Sequence, residues 1–273
     1  MTRDLKIGAP LALAGLGALA AGAWAIGRAR HGARRGTRAF HPTNTLKSIG
    51  EDIWIVDGEP ITAMGLTVPV RMTVIRLTDG TVLLHSPIRH SPALAQAIAG
   101  LGRVRHLLAP TTAHWQYLGE WQRAFPGAVT WAVRGLRDRV QVRKSGIRLD
   151  RDLGDTAPAE WSGEIRQGLV RGMGLHEAWF FHEPSRTLVL TDLIENLDPA
   201  RLPPVTAAAA RLARATVARP ALHVRTAILL GGQQAKGDIR TMVALAPDKV
   251  VFAHGAWFAA DGASRLNRAF AWL

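Results

Sequence analysis

VRHLLAPTTAHWQYLG (residues 104–119) decides the reading of this chain. A short apolar run, Val104 to Leu108, stops at Ala109-Pro110 and gives way to Thr111-Thr112-Ala113-His114 before a helix-forming stretch near Trp115 to Phe125, the pattern of a buried strand, a loop and a helix. Two later segments share this form: LTD (190–192) and FAHG (252–255) each close a short apolar run. A His, an Asp and a second His at strand ends are the ligand types a divalent metal site needs, since imidazole and carboxylate can hold zinc and leave a position for water. Taken singly, each has an ordinary use: His114 capping its helix, Asp192 capping the turn after its strand, His254 bonding a nearby carbonyl.

Around this stretch, strands and helices alternate. Ile53 to Val56, Met72 to Leu77 and Thr81 to His85 read as strands, the last two joined through Asp79-Gly80, which accepts the positive φ of a tight hairpin turn. Ser91-Pro92 opens a helix ending near Gly100, with Ser as N-cap and Pro in the first turn. A strand near Ala128 to Val133 follows the 115–125 helix. A second group of strands comprises Glu164 to Leu169, Ala178 to His182, Thr187 to Leu190 and Lys249 to Ala253. Helices are expected near Pro199 to Val217, Gly237 to Leu245 and Ser264 to Trp272. Two strand groups, each followed by helices, predict an α/β (α+β) chain built as an αββα sandwich. His85, His106 and His182 fall in or beside strands and are expected to be packed or surface residues rather than ligands.

Composition sets outer bounds. The chain has 273 residues, 48% of them hydrophobic, and no cysteine. Disulfides, thiolate nucleophiles and Cys-held zinc or iron–sulfur sites are therefore excluded, and any metal must be held by His, Asp or Glu. Ile7 to Gly27 contains no charged residue, and its 21 positions match the length of a helix that crosses a hydrocarbon core of roughly 30 Å. Ala-Gly-Ala (21–23) and Ala-Trp-Ala (23–25) are alternative signal-cleavage sites. Arg28, Arg30, Arg34, Arg35 and Arg38 follow the stretch, against Arg3 and Lys6 before it, a bias that favours an uncleaved single-pass anchor with the main domain cytoplasmic. The division expected is thus a basic membrane anchor over residues 1–38, with its span at about 7–27, and one domain over 39–273.

The net charge of +13 is shared between these parts, because residues 1–38 carry seven Lys/Arg and one Asp. An Arg cluster beside a span fits anionic membrane lipid, and no zinc-finger or RNP pattern points to nucleic acid. There is no Gly-x-Ser-x-Gly elbow, and Gly231-Gly232-Gln233-Gln234 lacks the spacing of a phosphate loop.

Across about residues 45–273, the order of hairpin, helix, strand with a His loop, hairpin ending in Thr-Asp, and strand ending in His-Gly is similar to the metallo-β-lactamase fold. More narrowly, RMTVIRL (71–77), LHSPI (84–88), Ala109-Pro110, SRTL (185–188) and LTDL (190–193) resemble domain of unknown function 4336, for which no activity is implied. The wider fold's ligand loop reads Thr-His-x-His-x-Asp-His. Here Thr111 takes the Thr, Thr112 the first His, His114 the second, Gln116 the Asp and Tyr117 the last His. Ser86-Pro87 stands where an Asp is common. The resemblance further maps Asp192 onto the bridging Asp, His254 onto the late His, and His176 onto the ligand between them. It implies a degenerate site of His114, His176, Asp192 and His254 that holds at most one Zn or other divalent ion. Two readings follow: an anchored domain without two-metal hydrolase activity, or a mononuclear hydrolase of an ester, thioester or phosphoester.

Overall fold

The computed structural model describes residues 39–63 and 65–273. The expected membrane span and its arginine flank lie outside the described residues, among which no helix is long and apolar enough to cross a membrane.

The first half contributes β1 (Lys47–Gly50), β2 (Ile53–Asp57), β3 (Ile61–Ala63), β4 (Leu66–Val68), β5 (Arg71–Arg76), β6 (Thr81–His85), α1 (Pro92–Ala99), β7 (Arg103–Ala109), α2 (Leu118–Ala124), β8 (Val129–Ala132), α3 (Val140–Ser145) and β9 (Arg151–Asp152). The second contributes β10 (Ile165–Gly172), β11 (Leu175–His182), β12 (Thr187–Val189), a 3₁₀ turn (Pro199–Arg201), α4 (Pro204–Leu212), α5 (Leu222–Leu230), α6 (Gly232–Val243), β13 (Lys249–Val251) and α7 (Gly262–Phe270). One sheet runs β1-β2-β5-β6-β7-β8-β9, the other β10-β11-β12-β13, and β3-β4 form a separate ribbon. Pairing is antiparallel as far as β6, parallel from β6 to β9, and parallel again between β12 and β13.

Period-two alternation sorts the side chains into layers. Val74, Leu84 and Leu107 point outward and pack with Leu94, Ile98 and Trp121 of α1 and α2, whereas Ile75, Leu83 and Leu108 point inward. There they meet Ala178 and Phe180 from β11. The alternate β11 residues Trp179 and Phe181 face the other way, toward Val224, Ile228, Ile239 and Met242 of α5 and α6. Helix, sheet, sheet, helix is the expected αββα order. Ser91 caps α1 as expected, accepting from the Leu94 N–H at 3.3 Å.

Three boundaries differ from the sequence reading. The helix expected over 199–217 forms only as the 3₁₀ turn and α4, an irregular stretch follows, and α5 begins at Leu222, where no helix was expected. Pro203-Pro204 lets a helix begin at α4 but not continue into it, Arg214 and Ala218 adopt positive φ of 57° each, and Pro220 lacks a donor. α6 starts five residues before the expected Gly237. β11 begins at Leu175, so the β10–β11 hairpin turns at Met173-Gly174 and carries His176 and Glu177 into the sheet.

That hairpin end abuts α5. The Met173 N–H donates to the Ala227 carbonyl at 2.9 Å, and a Cβ on Gly172 would lie 2.7 Å from the same oxygen, nearer than any side chain sits. Gly172→Ala must push α5 away from the sheet. The expected cost is about 1–3 kcal/mol, read as a lower urea midpoint at unchanged slope.

Candidate metal centre

The sheets present the carboxyl ends of their parallel strands at one edge, where ligands gather in α/β folds. The loop after β7 carries Thr111 and His114, the turn after β12 carries Asp192, and the segment after β13 carries His254. His114 Nε2 lies 3.0 Å from Asp192 Oδ1, His254 Nε2 lies 3.2 Å from the same oxygen, and the two Nε2 atoms are 3.2 Å apart. Among the described residues, these three form the one group of His, Asp or Glu spaced to hold a metal ion.

Each member is held from behind. The Nδ1 of His254 lies 2.8 Å from the Pro69 carbonyl, which can only accept, so Nδ1 carries a proton and Nε2 faces Asp192. His114 Nδ1 is 2.6 Å from the Ser86 hydroxyl, leaving its Nε2 at the centre. Outer partners of this kind fix the orientation of metal-binding histidines. Thr111 donates to Asp192 Oδ2 at 3.0 Å while its oxygen accepts from the Ala113 and His114 N–H groups, tying the loop to the acid.

Asp192 does not cap its own turn. Glu177, fully buried, takes that role, accepting from the N–H groups of Thr191, Asp192 and Leu193 at 2.6, 2.8 and 2.9 Å. The sequence reading missed Glu177, since it starts β11 after that residue; the available signal was a charged residue beside an apolar run. Burial and the charge of Asp192 push its carboxyl up, to about 8, against the three donors that favour the ionised form.

Charge in the site follows the contacts. Burial alone would keep Asp192 neutral, but His114 and His254 hold its carboxyl well below the usual range. Burial would lower His254, yet its hydrogen bond to Asp192 and the negative charges of Asp192 and Glu195 raise it to about 9. Burial pushes the Glu195 carboxyl up to about 7, partly opposed by His254.

The remaining sequence candidates lie elsewhere. His176 is not part of the cluster. It pairs in register with Arg171 one residue from the hairpin turn, and a Cβ on Gly135 would lie 3.9 Å from its Nδ1. Gln116 is exposed, and Tyr117 packs beneath Arg89, 5.7 Å from ring centre to guanidinium. His85, His106 and His182 are buried in packing positions, as expected. The His85 ring meets Phe180 edge-on at 5.3 Å, and its Nε2 has no partner among the described residues.

Arg71, absent from the sequence reading, holds the His254 segment. It donates to the carbonyls of Phe252 at 2.9 Å and Gly255 at 2.8 Å, and pairs with Asp57 at 2.7 Å. Gly255 is required beside it. Its φ is +94°, and a Cβ there would lie 2.0 Å from the Asn196 carbonyl. Arg71→Met keeps the apolar stem and removes the fork, leaving two carbonyls unpaired and Asp57 with Lys47 alone. Denaturant titration is expected to show a loss of about 3 kcal/mol, with the His254 ring resonances broadened by NMR.

Solved structures share this arrangement of layers. The chain is similar to the DIM-1 metallo-β-lactamase, with 11% identity, a TM-score of 0.60, and coverage of 86% of this chain and 97% of that one. For VMB-1 the figures are 9%, 0.58, 83% and 94%. For a metallo-β-lactamase from Pontibacter korlensis they are 16%, 0.51, 83% and 97%. At such identities the likeness is one of fold, and one fold hosts many chemistries. No curated protein matches the sequence. The pattern described as domain of unknown function (DUF4336) matches residues 50–219, more than half of the chain, and the protein belongs to that family, on a metallo-β-lactamase-like fold.

Proposed function

We propose that the protein is a membrane-anchored domain with a mononuclear divalent-metal centre formed by His114, Asp192 and His254, and that it is not a two-metal hydrolase. The observation that carries this is the triangle of facing atoms. Donors about 2.0–2.1 Å from a tetrahedral zinc lie about 3.3 Å from one another, and the three edges here are 3.0, 3.2 and 3.2 Å. Both imidazoles turn Nδ1 outward to an oxygen, so the atoms at the centre are the ones that would ligate. A second ion lacks donors, since Thr112, Gln116 and Tyr117 stand at the expected ligand positions and Gln116 faces solvent. Two imidazoles and one carboxylate form a donor set that zinc or iron accepts. Anchoring is proposed from the uncharged stretch 7–27 and the arginines after it, which also orient the domain toward the cytoplasm.

A bound divalent ion would supply Lewis acidity and lower the pKa of a coordinated water. The chain itself provides the rest. Ser86 and Pro69 keep the imidazoles in register, Thr111 orients the Asp192 carboxylate, and Glu177 locks the turn that presents it. A second reading, metal-dependent hydrolysis of an ester, thioester or phosphoester, is favoured by Glu195. This carboxyl feels both His254 and Asp192, and its pKa of about 7 suits proton exchange near neutrality.

Elemental analysis of full-length protein purified without chelator or histidine tag is expected to give one equivalent of zinc, iron or manganese. His114→Ala and Asp192→Asn should lose it, and His176→Ala should retain it. Absence of metal from the parent protein after incubation with excess ions would remove the proposal; two equivalents would restore the two-metal reading.

The pH dependence follows from His254. With its proton held to about 9, the metal must displace that proton, so apparent affinity should rise about tenfold per unit between pH 7 and 8 and level off above 9. Stability works in the opposite direction. The contribution of the His254 pairing to the metal-free fold is complete below the ordinary imidazole range and is lost as pH rises through about 9. Competition titrations with a zinc-sensitive dye, run across this range, measure the first effect.

A further inference from the structure

The outer helices of the second sheet carry a surface that the metal centre does not use. Seven large hydrophobic residues are exposed among the described residues, and five of them, Leu212, Val217, Leu222, Leu229 and Leu230, fall within nineteen positions. A sixth, Met173, sits at the hairpin end bonded to α5. Leu222 and Leu229 are seven residues apart, two helical turns, so they share one face of α5 opposite the buried Val224 and Ile228. The Leu222 N–H donates to the Ala213 carbonyl at 2.8 Å, bringing the end of α4 and Leu212 beside the start of α5.

Charge on this face is of one sign. No Asp or Glu occurs from residue 199 to 237. Arg211, Arg214 and Arg219 are exposed there, with no ion-pair partner among the described residues. The described chain also begins at this side. Arg201, in the 3₁₀ turn before α4, donates to the Ala39 carbonyl at 3.2 Å and lies 4.8 Å over the Phe40 ring. The eleven residues that join Gly27 to Ala39 reach at most about 40 Å when extended, and five of them are arginine.

We propose that the α4–α5 face rests on an anionic bilayer surface, with Leu212, Leu222, Leu229 and Leu230 entering the headgroup region and Arg211, Arg214 and Arg219 meeting lipid phosphates. Exposed leucines interleaved with unpaired arginines are the composition of an interfacial membrane surface. A second copy of the chain is the poorer occupant, because a two-fold contact would set arginine against arginine with no acid to offset them. The proposal extends the anchoring reading, since a short tether raises the effective concentration of the face at the membrane, and it is independent of the metal.

The chain has no cysteine, so Leu229→Cys places a single environment-sensitive fluorophore on the face, and Ala97→Cys, exposed on α1 in the opposite outer layer, serves as control. Full-length protein is reconstituted in phosphatidylcholine vesicles, with or without phosphatidylglycerol, containing lipids that carry a nitroxide quencher. The expected result is strong quenching and a blue shift at position 229 only in the anionic vesicles, none at position 97, and loss of both signals when Leu212→Glu and Leu222→Glu are added. Flotation with the vesicles reports anchoring separately. Flotation confined to anionic vesicles, with position 229 quenched, would support the face and remove the anchor. No quenching at 229 in anionic vesicles, equal quenching at both positions, or a blue shift at 229 in detergent accompanied by a dimer in light scattering would overturn the proposal.

Discussion

Asp192 is the atom-scale junction of the molecule. Its Oδ2 takes the hydroxyl of Thr111, and its Oδ1 faces both imidazoles, so three chain segments separated by 140 positions end against one carboxylate. A half-buried acid can be kept ionised only if its neighbours supply compensating donors and charge. Here the compensation is divided. His254 carries the proton, Thr111 supplies a neutral donor, and Glu177 fixes the backbone beneath. Glu177 and Asp192 meet at one turn, and the three N–H groups aimed at Glu177 oppose the rise that burial and the Asp192 charge impose on its carboxyl. The same arrangement leaves an ionised carboxylate facing two imidazole nitrogens, the donor types that a divalent cation could share once the His254 proton is displaced.

The His254 side depends on the first sheet. Arg71 begins β5, in register with Asp57 on β2, and its guanidinium reaches two carbonyls flanking His254. The Pro69 carbonyl, two residues earlier, holds the imidazole itself. His254, which follows a strand of the second sheet, is thus aimed by a strand of the first, and this fork joins the edges of the sandwich beside the apolar contacts. Fork-shaped donors suit this because they satisfy several oxygens in one plane with one rigid group.

Much of this was legible in the chain. Alternating apolar strands, the Asp79-Gly80 turn and the Ser91-Pro92 cap gave the layers, since each depends on local chemistry that survives folding unchanged. His114, Asp192 and His254 were legible because they close apolar runs. Their partners were not. Ser86, Pro69 and Arg71 act through a hydroxyl, a carbonyl and a fork whose targets lie from 28 to 185 positions away, and no local pattern encodes such pairings. His176 was read as a ligand by its place in the order, yet β11 starts earlier than its apolar core suggests, and the extra residues put His176 in the ladder and Glu177 under the acid. The 199–217 helix was read too long for a different reason. An Ala-rich composition promotes helix, but prolines at 203, 204 and 220 decide where one can stop and start.

That break has a structural consequence that an uninterrupted helix would not produce. The irregular stretch between α4 and α5 turns back onto the segment following Asp192, where Glu195 donates to the Arg219 carbonyl at 3.4 Å and Leu197 to that of Ala215 at 2.9 Å. The segment that bears the exposed arginines is therefore hydrogen-bonded to the chain that leads out of the His114, Asp192 and His254 cluster, and Glu195 belongs to both. Gly255 closes the other side of the same segment, its backbone pressed against Asn196. Residues 195–197 are held between the stretch that joins α4 to α5 and the loop that carries His254, so three residues of backbone hydrogen-bond to both.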